Sequence, residues 1–351
     1  MPLTLHVDAA RWRDHVRRYV DQSTGNDGVV VVPVTKGNGY GFGNAVLATE
    51  SQKLGVPTLA VGTYSEVTDV ATAFTGDILV LSPWRPWYDD VDGEARIVHT
   101  VSRLDDLHEL AAAGSPRPRV VVEIRTSIRR HGIPPAQLQE AASALADVQF
   151  EGFALHLPLA GDHLSEARDL AAAAFDTRPD DDGRQLWVSH LAPTAASALA
   201  TEFSADVRLR VATALWLGER SALRPRATVL DVHRVRRGET FGYRQRRARR
   251  DGTLLVIDGG TAHGIALEAP TPATTVRQRA VALAKGGLES AGRALSPFRV
   301  AGRQRWFAEP PHMQCSMIWL PGDVEPPAIG AEIDLDVRLT TTTFDRIRWD
   351  D

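Results

Sequence analysis

Apolar residues in the first two thirds of the chain gather into short runs, separated by alanine- and leucine-rich stretches with helical spacing. The runs lie near 29–34, 58–62, 77–82, 96–101, 118–124, 150–156, 185–190 and 207–211. Helical patterns fill 44–54, 65–74, 104–113, 135–147, 163–176 and 195–202 between them. Eight such strands alternating with helices predict an α/β chain folded as a (β/α)8 TIM-like barrel, with an open doubly wound sheet as the alternative. After about residue 220 helical periodicity fades, except over 276–294. Strand-like runs take its place at 226–236, 253–257, 298–307, 313–320 and 332–344, divided by Arg-Arg-Gly, Asp-Gly, Pro-Pro and Pro-Gly breaks. The pattern predicts two domains, a barrel over 1–222 and a mostly β C-terminal domain over 223–351.

Composition narrows the class without naming it. Hydrophobic residues at 43% and charged residues at 24% of 351 are those of an ordinary globular protein. A net charge of −4 speaks against nucleic acid as the main partner. The single cysteine, Cys315, excludes intramolecular disulfides and cysteine-based zinc clusters, and predicts no metal centre of that kind. The N-terminal segment has no apolar signal core and no apolar stretch reaches membrane-spanning length, so a soluble, cytoplasmic protein without a membrane partner is expected. The arginines from Arg234 to Arg250 form a dense basic run. It reads as the solvated face of a hairpin more readily than as an anion site.

Chemistry concentrates in VVVVPVTKGNGYGFG, residues 29–43. A buried strand ends in Thr35 and Lys36, and glycines then alternate with Asn38, Tyr40 and Phe42. The carboxyl end of a parallel strand is where barrel and open α/β enzymes place reactive groups. Partial desolvation there lowers an amine's pKa, as a Schiff-base lysine requires. The opposing reading is a surface lysine in a flexible turn. A dinucleotide loop is in poor register, and no Gly-Lys-Ser/Thr follows for a Walker loop.

Further segments carry a family resemblance. TKGNGYGFG resembles the KANAYGHG of alanine racemases, and EIRTSIRRHGI (123–133) is similar to KVDTGMGRLGI. In the same order come FEGFALHLPLAGD (150–162), SHLAPTAASAL (189–199), RVATALWLG (210–218), GETFGY (238–243), GTAHG (260–264) and HMQCSMIWLP (312–321). These resemble the family's HFATAD, HLANSAGAL, RPGIALYG, GExVGYG, GYADG and CMDQCMIRLP segments. The resemblance implies an alanine racemase-like barrel with a β domain, pyridoxal 5'-phosphate as cofactor, an amino-acid substrate and a homodimer. It implies that Lys36 carries the cofactor as a Schiff base and shuttles the proton on one face. Tyr40 and Thr194 would hold the phosphate, with backbone N–H groups near Thr213. His156 would pack against the pyridine ring, Arg210 would donate to its nitrogen, and Arg130 would fix the phenolate or the substrate carboxylate. Glu123 stands where the family often carbamylates a lysine, supplying the same negative charge directly.

An arginine at the ring nitrogen leaves that nitrogen unprotonated and weakens the electron sink, which favours racemase over decarboxylase or lyase chemistry. The resemblance breaks at Thr261, where the family's tyrosine supplies the proton carrier of the second face. A threonine hydroxyl is too weakly acidic to replace it. His263, two residues on, is the candidate substitute, with a structural histidine as its alternative. The readings left are therefore a racemase-like isomerase acting at Cα with altered substrate or activity, or a cofactor-binding protein without racemase turnover that serves as a scaffold or regulator, or a pyridoxal-phosphate decarboxylase or lyase of the same fold.

Overall fold

A computed structural model describes residues 3–24, 28–88, 95–112, 116–178, 183–267 and 294–350. The chain begins with β1 (Thr4–Asp8) and α1 (Ala9–Thr24). The barrel strands follow as β2 (Val29–Thr35), β3 (Thr58–Val61), β4 (Asp77–Val80) and β5 (Ile97–Val101). β6 (Arg119–Ile124), β7 (Gln149–His156), β8 (Gln185–Ser189) and β9 (Asp206–Val211) complete the set. These eight pair in parallel in chain order, and β9 returns to β2 to close the barrel. All eight lie where the apolar runs predicted them. Helices α2 (Asn44–Leu54), α3 (Val67–Ala71), α4 (Leu104–Ala112), α5 (Leu138–Ala144), α6 (His163–Phe175) and α7 (Pro193–Phe203) alternate with the strands, and the short α8 (Thr213–Leu217) follows β9.

The barrel interior is a packed core. Val32, Val34, Ala60, Leu79, Val98, Val121, Ala154 and Trp187 form one buried cluster, contributed by seven successive strands. Trp187 donates its indole N–H to the Glu151 carbonyl at 2.7 Å, and the Arg208 guanidinium covers its ring at 4.9 Å. This satisfies the one polar atom that such a large ring brings into a core.

The second unit is built on β10 (Leu223–Val235), β11 (Thr240–Phe241), β12 (Arg246–Arg247) and β13 (Gly252–Asp258). It continues with β14 (Leu295–Val300), β15 (Arg303–Phe307), β16 (Cys315–Pro321), β17 (Glu332–Leu335) and β18 (Arg346–Asp350). The main sheet runs β13-β16-β15-β14-β17-β10-β1-β18, and β13 also pairs with β10, drawing six strands into a ring. Leu3, Val229, Leu255, Ile257, Phe298 and Ile318 are among the residues that fill it.

Two details differ from the sequence reading, and a third falls outside the described residues. The run at 298–307 is two strands, not one, because Ala301 and Gly302 both take positive φ (51° and 71°) and turn a two-residue hairpin. β1 lies between β10 and β18 in the C-terminal sheet, so Met1–Trp12 cluster with Glu219–Asp351 and with Tyr40–Phe42, rather than with the barrel unit of Arg13–Gly39 and Gly43–Gly218. The helical pattern at 276–294 lies almost entirely outside the described residues.

Candidate active site

Alternation along a strand sends every second side chain to the same face. Two residues beyond the inner-cluster residues of successive strands stand Lys36 (after Val34), Gly62 (after Ala60), Leu81 (after Leu79) and Thr100 (after Val98). Glu123, His156 and Ser189 follow Val121, Ala154 and Trp187 in the same way, and Arg210 follows Arg208. The next layer above the apolar core, at the carboxyl ends of the strands, is therefore largely polar. This is the end at which barrels carry their sites.

Lys36 directly follows β2 and opens the glycine turn. Thr35 donates its hydroxyl to Asn44 Oδ1 at 2.6 Å, and Asn44 Nδ2 donates to the Gly37 carbonyl at 3.2 Å, so α2 holds the turn from behind. Gly39 has φ 58°, and a Cβ there would fall 2.6 Å from the Asn44 nitrogen; only glycine fits. Gly62 is needed for a different reason. A Cβ on it would come within 2.9 Å of both Lys36 Cβ and Glu66 Oε2.

Glu66 is fully committed to backbone donors. Its Oε1 accepts the Gly37 N–H at 2.7 Å, and its Oε2 accepts those of Gly62 and Thr63 at 2.7 and 3.2 Å. It fixes two loops, while among the described residues the Lys36 amine has no carboxylate at ion-pair distance. Lys36 stands exposed at the mouth, yet the walls displace part of its amine's hydration. That desolvation, with the positive charges of Arg130 and Arg210, lowers its pKa, and only Glu66 opposes the shift.

His156 accepts or donates at Nδ1 with the Ser189 hydroxyl at 2.8 Å, and its ring lies 4.9 Å from that of His190. Burial, then Arg210 and Arg130, push its pKa down to about 3, so it is neutral at physiological pH. Arg210 is buried and donates Nη2 to the Leu155 carbonyl at 2.8 Å. Its Nε is buried and, among the described residues, has no hydrogen-bond partner. Burial lowers its pKa to about 10, against the pull of Glu123, and it keeps its proton. Glu123 is itself buried, which raises its pKa, while Arg210, Arg130 and Arg85 draw it back.

The remaining predicted residues fall into two groups. Arg130 lies in the loop after β6, close enough for its charge to act on Lys36, Glu123, His156 and Arg210. Thr194 is the second residue of α7, whose first turn has Pro193 and no side-chain cap, and Thr213 is the first residue of α8. Tyr40 is buried, with φ 55°, and clusters with the second unit. His263 also belongs to that unit. Its Nδ1 accepts the Gly260 N–H at 3.3 Å, so Nε2 carries the proton and donates to Asp345 Oδ1 at 3.1 Å. Both ring nitrogens are thus engaged in holding a turn.

The architecture and its mouth define an α/β-barrel protein organised around a strand-end lysine in cationic surroundings. The family model for the alanine racemase N-terminal domain matches residues 7–217. The chain belongs to the alanine racemase family. It is 24% identical over 288 residues to the alanine racemase of Mycobacterium avium, covering 74% of this chain and 72% of that one. With the alanine racemase of Salinispora arenicola it shares 27% over 275 residues, covering 72% and 74%. The crystal structure of alanine racemase from E. faecalis superposes with a TM-score of 0.70 at 18% identity, over 99% of this chain and 98% of that one. That of Bartonella henselae alanine racemase, with covalently bound pyridoxal phosphate, gives 0.70 at 16%, over 99% of each.

The family is pyridoxal-phosphate dependent, and the residues of this mouth fit that cofactor. The partnerless Arg210 Nε is a buried donor that a ring-nitrogen acceptor would complete, since leaving it unmet carries a desolvation cost. Sequence reasoning passed over Gly62, Glu66, Ser189 and His190. Counting two residues past each inner-core position, strand by strand, would have found Gly62 and Ser189.

Proposed function

We propose that this chain holds pyridoxal phosphate through Lys36 and moves the proton at the Cα of an amino acid, as a racemase-like isomerase. When bound, the cofactor supplies an electron sink for the Cα–H bond. Lys36, with its lowered pKa, gives and takes that proton on one face. Arg210 holds the ring nitrogen without protonating it, because a guanidinium keeps its proton, and this restrains the sink. Neutral His156, steadied by Ser189, offers a ring face rather than a charge. Arg130 fixes the phenolate or the substrate carboxylate, and Tyr40 and Thr194 hold the phosphate, with backbone N–H groups near Thr213 completing the cradle. A homodimer and a cytoplasmic location belong to the same reading.

The observation that carries it is the buried Arg210 Nε waiting for an acceptor in a layer that also holds Lys36. Borohydride reduction followed by peptide mass spectrometry should find the cofactor on Lys36. Protein that takes up none at saturating concentration would sink the proposal in favour of a descendant of the fold without turnover. By resemblance to the family, Thr261 stands where the second-face tyrosine would be, and His263 is tied to Gly260 and Asp345. Cα exchange in deuterated water should therefore favour the D isomer by about 10²-fold or more. Equal, fast exchange of both enantiomers would show that another group carries the second proton.

A further inference from the structure

The loop after β6 has features that holding a cofactor does not require. Its ends are tied by the Ile124–Ile133 bridge, with Arg125 N–H donating to the Ile133 carbonyl at 2.9 Å and Ile133 N–H to the Glu123 carbonyl at 2.8 Å. Inside it, the Arg129 N–H closes a turn on the Thr126 carbonyl at 3.0 Å. Thr126 donates its hydroxyl to the His156 carbonyl at 2.7 Å, which roots the loop on a strand end of the candidate site.

Arg125, Thr126, Ser127 and Arg129 line a cleft of about 500 Å³, far more room than a methyl side chain fills. Among the described residues neither Arg125 nor Arg129 has a hydrogen-bond or ion-pair partner for its guanidinium. Glu166 of α6, which bonds to this loop, is spent on Ser127, accepting its N–H at 2.5 Å and its hydroxyl at 2.9 Å. Arg129 also sits at φ 57°, a left-handed conformation that glycine adopts without cost and arginine does not. Arg125 and Arg129 are both exposed and both line the cleft, so it carries two cations with no acid paired to them among the described residues. Planar guanidiniums so arranged suit bidentate recognition of carboxylate or phosphate.

We propose that this cleft takes a second oxyanion, carried on the side chain of the amino acid bound at Lys36, so that acidic or phosphorylated amino acids are preferred to alanine. The inference rests on the reading of Lys36 for its substrate. It can be read separately by binding.

Isothermal titration of the cofactor-loaded protein should be run with glutamate, aspartate, phosphoserine and alanine, with inorganic phosphate as a further arm. Cα exchange is measured on the same amino acids. The acidic or phosphorylated ligands should bind at least about tenfold more tightly than alanine. In the Arg125→Gln/Arg129→Gln protein the ratio of their affinity to that of alanine should collapse by at least about tenfold, and Arg125→Lys/Arg129→Lys should keep part of it. An equal affinity for alanine and the acidic ligands overturns the proposal, as does a ratio indifferent to both variants. Arginine-dependent phosphate binding without any preference among amino acids also overturns it, marking a site for a free anion. Arginine-dependent glutamate binding without Cα exchange or borohydride trapping upholds the cleft and sinks the Lys36 reading instead.

Discussion

The mouth of the barrel and the turn at 260–264 are both rich in titratable groups, but they treat them in opposite ways. In the turn, His263 gives one nitrogen to Gly260 and the other to Asp345, and Asp345 accepts the Leu3 N–H as well. At the mouth, Arg210 keeps a buried Nε with no partner among the described residues, and the carboxylate whose charge acts on Lys36, Glu66, is taken up by three backbone N–H groups. Groups whose bonding capacity is met inside the fold hold the fold. Groups left unmet in a desolvated layer, at a standing cost, mark where something else binds.

The sharpest way to test that contrast is to remove the unmet amine. Lys36→Ala should abolish borohydride trapping of the cofactor and lower Cα exchange by about 10²–10⁴-fold. The fold should survive, because the amine makes no bond within it among the described residues. A variant that still exchanges Cα protons at the parent rate would erase the distinction between the two regions.

Arg210 is the next largest effect, and it reads on stability. Arg210→Met leaves the Leu155 carbonyl without its donor and Glu123 without its largest compensating charge. A cost of about 1–3 kcal/mol is expected by denaturant unfolding. Adding Glu123→Gln should recover part of it, since a neutral amide no longer needs a cation, and the double-mutant cycle measures the coupling. Strict additivity would mean that the two groups do not sense one another.

How much of this was legible in the sequence follows the same divide. The eight barrel strands could be read because parallel strands covered on both faces are continuously apolar, as Val29–Val32 and Val120–Val122 are. β1 could not. Thr4–Asp8 is short and mixed, and its partners are β10 and β18, more than two hundred residues away. Lys36, His156 and Arg210 stood out because each lies within one residue of a strand's carboxyl end. Gly62, Glu66 and Ser189 did not, because their parts depend on register across strands: Gly62 clears room for a neighbour, and Ser189 meets His156 only through the β7–β8 pairing. For His263 the sequence left a catalytic and a structural reading open, because the group that engages it, Asp345, lies 82 residues on.

pH offers a subtler separation. His156 is neutral in the fold, with a pKa pushed down to about 3, whereas in the unfolded chain it titrates near the ordinary histidine value of about 6.5. A depressed folded value means that the unfolded chain binds the extra proton first as pH falls. His156 therefore destabilises the fold progressively from about pH 6.5 downward, with the loss complete near pH 3, and has no effect above the unfolded value. Denaturant midpoints measured from pH 8 to pH 4 should fall less steeply in His156→Gln than in the parent. Parallel curves would mean that His156 titrates in the fold as it does in the unfolded chain.

The smallest effect belongs to the satisfied histidine. His263→Ala removes the acceptor of the Gly260 N–H and the donor to Asp345, so about 1–2 kcal/mol of stability should be lost. Part of that is offset because Asp345 is partly exposed and still accepts from Leu3. The trapping of cofactor on Lys36 should be unchanged, since a group with both nitrogens spent within its own turn has none left to offer. His263→Asn keeps one donor and one acceptor on a shorter side chain and should lose less. The decisive comparison is exchange of the L isomer in deuterated water. If His263→Ala slows that exchange by tenfold or more while the denaturant midpoint barely moves, His263 is carrying a proton for the reaction, and the division between met and unmet groups fails at this turn.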